Sequence, residues 1–324
     1  MNIRVISTGA ALPAKVWTNE ALIAARGLES NDEWIRARTG IAQRYIVGEG
    51  ETTFTLARDA VAQAIGRAGI ETADVGVLIV ATCTPDLTFP SVAALVHGAL
   101  GLAQNCVVLD VNAACSGFVH ALAVARGLML TGSARYAVVV GAETFSNLLD
   151  WNDRTTCVLF GDGAGAVVLE KAESKEAVGI LAIEMGADGT CAPQLQSSAG
   201  VARGRVAGVV QMNGREVYKH AVRQMGSVEE ATALMQSAGF ELAAVDWLVP
   251  HQANVRIIEA AAQSLGLPMD KVVVTVDRHA NTSAATIPLA LDVAVNDGRI
   301  KPGDVVMLQA FGAGFAWSGA VVKW

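Results

Sequence analysis

Three residues combine a chemically useful side chain with a position just after a predicted strand: Cys115, His251 and Asn281. A cysteine can attack a carbonyl carbon and hold the acyl group as a thioester. A neutral imidazole and a carboxamide can donate hydrogen bonds to an oxygen on which negative charge develops. These residue types suit acyl transfer, provided that the fold brings them together.

Cys115 lies between a buried-strand pattern at residues 107–109 and an apolar helix predicted over residues 117–130. A helix that is apolar on all sides belongs in a protein core. At the start of such a helix, free backbone N–H groups and the helix dipole are expected to stabilise a thiolate. Because an isolated cysteine is more often an inert core residue, the interpretation of Cys115 as a nucleophile depends on its partners.

His251 and Asn281 follow predicted strands at residues 247–250 and 272–276. Taken singly, a histidine after a strand is commonly structural, and an asparagine before a helix is commonly a cap. The carboxyl ends of strands in an α/β protein, however, line its ligand sites. We therefore expect Cys115, His251 and Asn281 to meet in one crevice, and we interpret the other four histidines as structural.

The composition predicts a layered α/β protein. The chain is 52% hydrophobic and 17% charged, and its mean hydropathy is +0.40. Its apolar residues fall in short clusters at 77–80, 137–140 and 272–274 that suit strands buried on both faces. Because no uninterrupted apolar run reaches the roughly 18 residues of a membrane helix, we expect no membrane segment.

Charge, cysteine usage and the N-terminus exclude several classes of protein. The net charge of −7 argues against nucleic acid as a partner. The five cysteines show no paired spacing, so neither a disulfide framework nor a metal site is expected. Residues 1–6 lead directly into a strand without a signal-peptide pattern. We expect a cytoplasmic protein.

An internal repeat predicts two similar halves. Residues 68–80 recur at 238–250, with a constant offset of 170 (238 − 68). Residues 165–169 recur at 319–323, so the first half carries extra residues before its last strand, which we place at 145–156. We predict an N-terminal half, residues 1–172, with the nucleophilic cysteine. A C-terminal half, residues 173–324, would carry the histidine and asparagine, with the junction at 171–177.

Motifs along the whole chain resemble one known family. The segments that carry the resemblance are residues 30–40, 89–91, 113–118, 160–165, 250–258, 278–285 and 310–314. They are similar to the β-ketoacyl-acyl carrier protein synthase III family, the initiating condensing enzymes of type II fatty acid synthesis in the thiolase-like superfamily. The resemblance implies a thiolase-like fold of two pseudo-twofold-related α/β halves in αβαβα layers.

The implied reaction is a decarboxylating condensation of an acyl-CoA primer, acetyl-CoA above all, with malonyl-acyl carrier protein. It would pass through an acyl-Cys115 intermediate, with His251 and Asn281 assisting decarboxylation. The resemblance implies a homodimer, with coenzyme A and phosphopantetheine thioesters as substrates and no separate cofactor. Primer length and the pathway served are left open by the sequence.

The resemblance also assigns roles to further residues. The oxyanion hole would be the backbone N–H groups of Cys115 and Ala313. Coenzyme A would be bound by Trp34, Arg38, Arg154 and Asn254. The carrier protein would dock on Arg256, Lys219, Arg215 and Gln252. The acyl pocket would involve Phe89, Phe160 and Phe311, with Phe89 reaching across the dimer.

Two positions depart from the family pattern. Ala280 and Ala313 stand where the family usually has glycine. A backbone N–H survives this change, so the oxyanion donor is retained at Ala313. If either position requires a positive φ, alanine is strained there by roughly 1 kcal/mol or more.

Three other interpretations remain open. A cysteine hydrolase with a nucleophile elbow is disfavoured because residue 113 is alanine where that motif requires glycine. A related enzyme of specialised metabolism could transfer acyl groups to another acceptor or condense longer primers. A catalytically silent carrier-protein-binding subunit is disfavoured because Cys115, His251 and Asn281 are all present.

Overall fold

The computed structural model describes residues 2–173, 176–204 and 206–324. The strands in these residues are β1 Asn2–Ala11, β2 Val16–Thr18, β3 Gln43–Tyr45, β4 Val75–Ala81, β5 Val107–Val111, β6 Tyr136–Thr144, β7 Asp162–Ala172, β8 Gly179–Ala187, β9 Leu195–Ser197, β10 Val210–Met212, β11 Trp247–Pro250, β12 Val305–Gly312 and β13 Ala316–Lys323. The helices are α1 Asn19–Arg26, α2 Asp32–Thr39, α3 Thr53–Ala68, α4 Val92–Leu100, α5 Gly117–Thr131, α6 Val201–Gly204, α7 Gly214–Met225, α8 Val228–Ser237, α9 Val255–Ser264, α10 Val276–His279 and α11 Thr286–Asn296.

The first large sheet has the strand order β1-β7-β6-β4-β5. Strands β4, β5 and β6 run parallel, and β1, β7 and β6 pair antiparallel. The apolar runs in β4 and β6 are buried on both faces, as their composition predicts. Strand β5 lies at the sheet edge and Val107 is 42% exposed, so the expectation of a buried strand there is wrong.

The second large sheet repeats the connectivity of the first. Its order is β8-β13-β12-β11, with β8, β13 and β12 antiparallel and β11 parallel to β12. Val272 adds an isolated parallel bridge to Leu248, at the place that β5 takes in the first sheet. Residues 272–276 therefore do not form the predicted strand, and Asn281 instead follows the short helix α10.

The elements stack in five layers. Helices α5 and α11 lie between the two sheets, and α3 and α4 cover the outer face of the first sheet. Helices α8 and α9 pack on the outer face of the second. By length and composition the stretch Ala114–Thr131 could cross a membrane, but it contains the central helix α5, whose Phe118 and Met129 are buried between the sheets. This placement accounts for the high hydropathy.

Close backbone approach in the middle layer requires glycine. A Cβ on Gly141 of β6 would lie 2.2 Å from the carbonyl oxygen of Ala284, just before α11. A Cβ on Gly165 of β7 would lie 2.6 Å from the backbone nitrogen of Leu289. Because no side chain fits these gaps, the central strands can hold the segment that follows Asn281 directly against them.

The predicted helix over residues 117–130 is α5, which ends one residue later at Thr131. Helix α3 lies between its Thr52 cap and Gly69, which has φ 66°. Helix α2 is capped by Asn31, whose side chain accepts the N–H of Trp34 at 2.8 Å.

Along the sequence, the predicted junction between the halves falls between the last strand of the first large sheet and the first strand of the second. Strand β7 ends at Ala172 and β8 begins at Gly179. Residues 174 and 175 of that junction lie outside the described residues. The division at 172/173 stays a prediction.

Candidate active site

The structure brings the three predicted residues together. A cavity of about 840 Å³ opens between the two sheets and is lined by Cys115, His251 and Asn281. Gly312 and Ala313, at the end of β12, line it as well. The three residues, which are far apart in the sequence, therefore line one cavity.

Cys115 lies in a single 3-10 turn, Ala114–Ser116, that joins β5 to α5. The preceding Ala114 has φ 46°, so the backbone is strained where it turns toward the cavity. A Cβ on Gly312 would lie 2.8 Å from the backbone nitrogen of Cys115, which places the end of β12 against the nucleophile's own N–H. The Ser116 and Ser318 hydroxyls, 2.6 Å apart, tie this turn to β13.

Burial dominates the acidity of Cys115. The residue is 7% exposed, and burial raises the pKa of its thiol to about 12. The Ser283 hydroxyl opposes this shift, and the charge of Glu143 adds to it. Burial therefore opposes the stabilisation of a thiolate that the start of α5 is expected to give.

His251 is a neutral imidazole fixed by one side-chain contact. It is 2% exposed, and burial lowers its pKa to about 3, so the ring carries a single hydrogen at neutral pH. Its backbone N–H donates to Gln309 of β12 at 2.7 Å. Its Nδ1 lies 2.6 Å from Thr286 Oγ1, which leaves Nε2 available to a ligand in the cavity.

Asn281 is held by both its backbone and its side chain. Its N–H donates to the Leu159 carbonyl at 3.0 Å, and its carbonyl accepts the Gly161 N–H at 3.0 Å. The side-chain Oδ1 accepts the Ser283 N–H at 2.8 Å. Because Oδ1 is occupied by a donor, the amide NH₂ of Asn281 is left to donate toward the cavity.

The two alanines that replace glycine differ in their backbone geometry. Ala280 has φ 57° and ψ −160°, a region populated almost only by glycine. In the described residues, the non-glycine positions with positive φ are Ala114, Ala280 and Ser283, and Ala313 is not among them. The predicted strain is therefore confirmed at Ala280 and absent at Ala313.

A buried carboxyl group lies behind the cavity wall, and no pattern in the sequence predicts it there. Glu143 is 0% exposed, and burial raises its pKa. It accepts the Thr84 hydroxyl at 2.5 Å, and the Cys83 N–H and Sγ–H at 3.2 and 3.3 Å. The sequence does not predict that Cys83 and Thr286 lie near the site, because nothing in their spacing distinguishes them from core residues.

A cation–aromatic group lies at the cavity mouth. The guanidinium groups of Arg38 and Arg154 lie 4.7 and 5.5 Å from the centre of the Trp34 ring. Trp34 and Arg38 share one face of α2 because they are four residues apart. Arg154 is held by a hydrogen bond to the Glu29 carbonyl. Trp34 and Arg38 line the cavity, whereas Arg154 lies just outside it.

Asn254 joins two of the predicted binding segments. It caps α9 by accepting the Arg256 N–H at 2.9 Å, and its Nδ2 donates to the Arg38 carbonyl at 3.0 Å. It also lines the cavity. Asn254 therefore connects the end of α2 to the start of α9.

The predicted docking residues divide into two groups. Arg256 and Arg215 are exposed and line the cavity mouth, and Lys219 is exposed one turn further along α7. Gln252 is 1% exposed, and it bonds the Pro250 and Val273 carbonyls and two backbone N–H groups within the chain. Its predicted docking role is contradicted, because none of its polar atoms faces the surface.

The three phenylalanines assigned to an acyl pocket lie apart. Phe160 stacks on Phe145 with ring centres 4.3 Å apart, at one end of the cavity. Phe311 packs on Phe315 at 4.8 Å, on the side of α7 and α9. Phe89 is 84% exposed and does not line the cavity of this chain.

The layered fold and this site define the class of protein. A structure of 3-oxoacyl-[acyl-carrier-protein] synthase III from Aquifex aeolicus VF5 superposes with a TM-score of 0.92 at 40% identity and covers 100% of both chains. A priming β-ketosynthase from the R1128 polyketide biosynthetic pathway superposes with a TM-score of 0.91 at 32% identity, over 99% of this chain and 96% of that one. The fold is the thiolase-like fold of condensing enzymes.

Sequence relatives specify the family. Residues 109–189 match the model of 3-oxoacyl-[acyl-carrier-protein] synthase III, and residues 235–324 match the model of its C-terminal part. A β-ketoacyl-[acyl-carrier-protein] synthase III from Rhizorhabdus wittichii is 53% identical over 320 residues, covering 99% of this chain and 98% of the relative. The chain belongs to the β-ketoacyl-[acyl-carrier-protein] synthase III family, the acyltransferases that initiate fatty acid synthesis by condensation.

Proposed function

We propose that the chain condenses an acyl-CoA primer, with acetyl-CoA as the preferred one, with malonyl-acyl carrier protein. In the first half-reaction the Cys115 sulfur attacks the primer carbonyl, and the acyl-enzyme and free coenzyme A result. In the second, malonyl thioester loses carbon dioxide and its carbanion attacks the acyl-cysteine. The products are 3-oxoacyl-acyl carrier protein and the free Cys115 thiol.

The observation that carries this proposal is the convergence of Cys115, His251 and Asn281 on one cavity. Decarboxylation places negative charge on the malonyl thioester oxygen. Hydrogen-bond donors that are not themselves negatively charged stabilise that charge. A neutral His251 and the free NH₂ of Asn281 supply such donors. A carboxylate in either place would repel the developing enolate.

A second pair of donors would serve the tetrahedral intermediates at the acyl-cysteine. The N–H groups of Cys115 and Ala313 are the candidates, because Gly312 brings the end of β12 against the Cys115 backbone. Alanine at 313 retains the N–H, and its φ lies outside the left-handed region. Alanine in place of the family's glycine at residue 313 is therefore compatible with an oxyanion hole that uses this N–H group.

We assign substrate binding to side chains at and near the cavity mouth. Trp34, Arg38 and Arg154 form a cation–aromatic group suited to the adenine of coenzyme A. Asn254 lines the cavity beside Arg38 and suits the pantetheine arm. We assign docking of the acidic carrier protein to Arg256, Arg215 and Lys219.

The remaining assignments come from the family. We propose a homodimer in which Phe89 reaches the partner's acyl pocket, because its side chain is 84% exposed in one chain. We also propose a division into halves at residues 172/173, a cytoplasmic location and no separate cofactor. Analytical ultracentrifugation tests the dimer directly, since a monomer at micromolar concentration contradicts it.

Two half-reaction assays test the chemistry. Intact-protein mass after incubation with acetyl-CoA should show one acetyl adduct that Cys115→Ala abolishes. Release of labelled carbon dioxide from malonyl-carrier protein should fall in His251→Ala and Asn281→Ala, while their acetyl adduct forms as in the wild type. No adduct on the wild-type chain would overturn the acyl-cysteine step, and loss of loading alone in His251→Ala would overturn the role given to His251.

A second candidate is a priming ketosynthase of polyketide synthesis, favoured by the R1128 structure with a TM-score of 0.91. Its lower identity, 32% against 40% for the fatty acid enzyme from Aquifex aeolicus, places it behind the first proposal. Measuring kcat/KM for acetyl, branched and longer acyl-CoA primers with one carrier protein separates the two. A strong preference for longer primers would support the second candidate.

A further inference from the structure

Thr286 contacts the proposed catalytic histidine from behind. It is the first residue of α11 and is 2% exposed. Its Oγ1 lies 2.6 Å from Nδ1 of His251 and 3.0 Å from the carbonyl oxygen of Ser283. Thr286 does not line the cavity, and of the three proposed catalytic side chains it contacts that of His251.

The hydroxyl of Thr286 has one hydrogen and two acceptors within reach. If it donates to Ser283, then His251 Nδ1 must carry the ring hydrogen, and Nε2 presents a lone pair to the cavity. If it donates to Nδ1, the ring hydrogen resides on Nε2 and faces the cavity. Which nitrogen of a histidine is protonated is set by the partner of the other nitrogen.

Two features favour donation to His251. The Oγ1–Nδ1 distance of 2.6 Å is shorter than the roughly 2.7–3.2 Å that is usual when a ring N–H donates to an oxygen, so the hydroxyl is the better donor. The Ser283 carbonyl already accepts the backbone N–H of Thr286, so it stays satisfied without the hydroxyl.

We propose that Thr286 is a positioning residue that donates its hydroxyl hydrogen to His251 Nδ1 and so fixes the ring hydrogen on Nε2. This inference rests on the proposed function, in which His251 donates to the malonyl thioester oxygen. A hydroxyl suits the task because it holds the ring without adding charge. A carboxylate at residue 286 would instead accept from Nδ1 and turn Nε2 into a base.

A matched pair of variants tests this role by activity. Thr286→Ser keeps the hydroxyl and should release carbon dioxide from malonyl-carrier protein within about twofold of the wild type. Thr286→Val keeps the shape but has no donor, and its decarboxylation should fall at least about tenfold, the effect of one orienting hydrogen bond. Acetyl loading from acetyl-CoA should stay within about twofold in both variants. Wild-type decarboxylation by Thr286→Val would overturn the proposal.

Nitrogen-15 NMR of histidine-labelled protein gives a readout that does not depend on activity. The chain has five histidines, and the His251→Ala variant identifies the signals of His251. In the wild type, Nε2 should be the protonated nitrogen and Nδ1 the unprotonated one. A hydrogen found on Nδ1 would overturn the assignment, and this result decides the matter even if Thr286→Val fails to fold.

The His251→Ala variant separates the two levels of the argument. If it decarboxylates malonyl-carrier protein like the wild type, the proposed role of His251 fails. If it is impaired while Thr286→Val is not, His251 keeps its role and the assignment to Thr286 alone is wrong.

Discussion

Phe160 and Asn281 lie side by side in an isolated parallel bridge that joins two distant loops of the chain. The backbone of Asn281 is bonded on both sides, to Leu159 and to Gly161, at 3.0 Å each. The segment that carries Asn281 is therefore held against the cavity wall as if it were a strand. To reach this bridge from α10, the chain passes through the strained residue Ala280.

Replacing Ala280 by glycine should stabilise the fold. Glycine adopts φ 57° and ψ −160° without the steric strain of a Cβ, which is worth roughly 1–3 kcal/mol. The greater freedom of glycine in the unfolded chain offsets up to about 1 kcal/mol of this gain. We expect the free energy of unfolding to rise by about 1 kcal/mol, measured by urea denaturation.

The matched control is Ala313→Gly, since Ala313 does not have a positive φ. That change relieves no strain and should lower the free energy of unfolding by up to about 1 kcal/mol through unfolded-state entropy. Equal shifts in the two variants, or a loss of stability in Ala280→Gly, would contradict the explanation by backbone strain.

Cys115 should react more readily as the pH rises. Burial holds its pKa at about 12, so at pH 7 almost all of the thiol is protonated. Because the thiolate is the nucleophile, alkylation by iodoacetamide should rise about tenfold per pH unit between pH 7 and 9, with no plateau. Peptide mass spectrometry after timed alkylation measures this rate at Cys115 alone.

The reference for that measurement is a short cysteine peptide with both ends blocked, under the same conditions. Its rate should level off near the ordinary thiol pKa of about 8.5, whereas that of Cys115 continues upward. A Cys115 rate that is already constant between pH 7 and 9 would mean that the start of α5 stabilises the thiolate after all.

The sequence predicted which residues line the site more accurately than it predicted their burial, acidity and hydrogen-bond partners. Cys115 and His251 could be found because strand ends in α/β folds converge and because a repeat indicated two similar sheets, whereas Asn281 was placed by a predicted strand that does not form. The acidity of Cys115 could not be predicted, since it depends on burial between distant segments. The partners of Gln252 were hidden for the same reason.

Local patterns also failed where tertiary contacts decide the conformation. Residues 272–276 have a strand composition, but only Val272 pairs with a neighbour, and the chain turns into α10 at Val276. Strand β5 has a core composition and lies at a sheet edge. Thr286 begins α11 in a sequence that is typical of any buried helix. Its position behind His251 depends on the tertiary contact between its Oγ1 and His251 Nδ1.

Acid should destabilise the fold through buried histidines. Burial lowers the pKa of His279 from 6.5 to about 4, so the folded chain does not take up this proton until the pH approaches 4. The unfolded chain binds it below about 6.5, and the stabilising contribution, complete above that pH, is lost as the pH falls toward 4. Between pH 7.5 and 5.5, His279 should cost about 1.4 kcal/mol of unfolding free energy.

His279→Gln tests this contribution, because glutamine does not titrate in this range. Urea denaturation at pH 7.5 and 5.5 should show a smaller acid loss in this variant than in the wild type, by about 1.4 kcal/mol. His279→Asn, which likewise does not titrate in this range, should show the same smaller acid loss. An unchanged acid loss in His279→Gln would contradict the effect of burial.

Reversing the charge of Arg256 should weaken binding of the carrier protein far more than binding of the primer. Arg256 is exposed at the cavity mouth, where an acidic partner must approach to deliver its thioester. We expect Arg256→Glu to raise the KM for malonyl-carrier protein at least about tenfold at low salt and to leave the KM for acetyl-CoA within about twofold. Lys301→Glu is the control, since this exposed lysine precedes β12, at the opposite end of the strand from Gly312, does not line the cavity and should change neither constant more than about twofold. Equal increases for both substrates in Arg256→Glu would place this residue in the binding of coenzyme A instead.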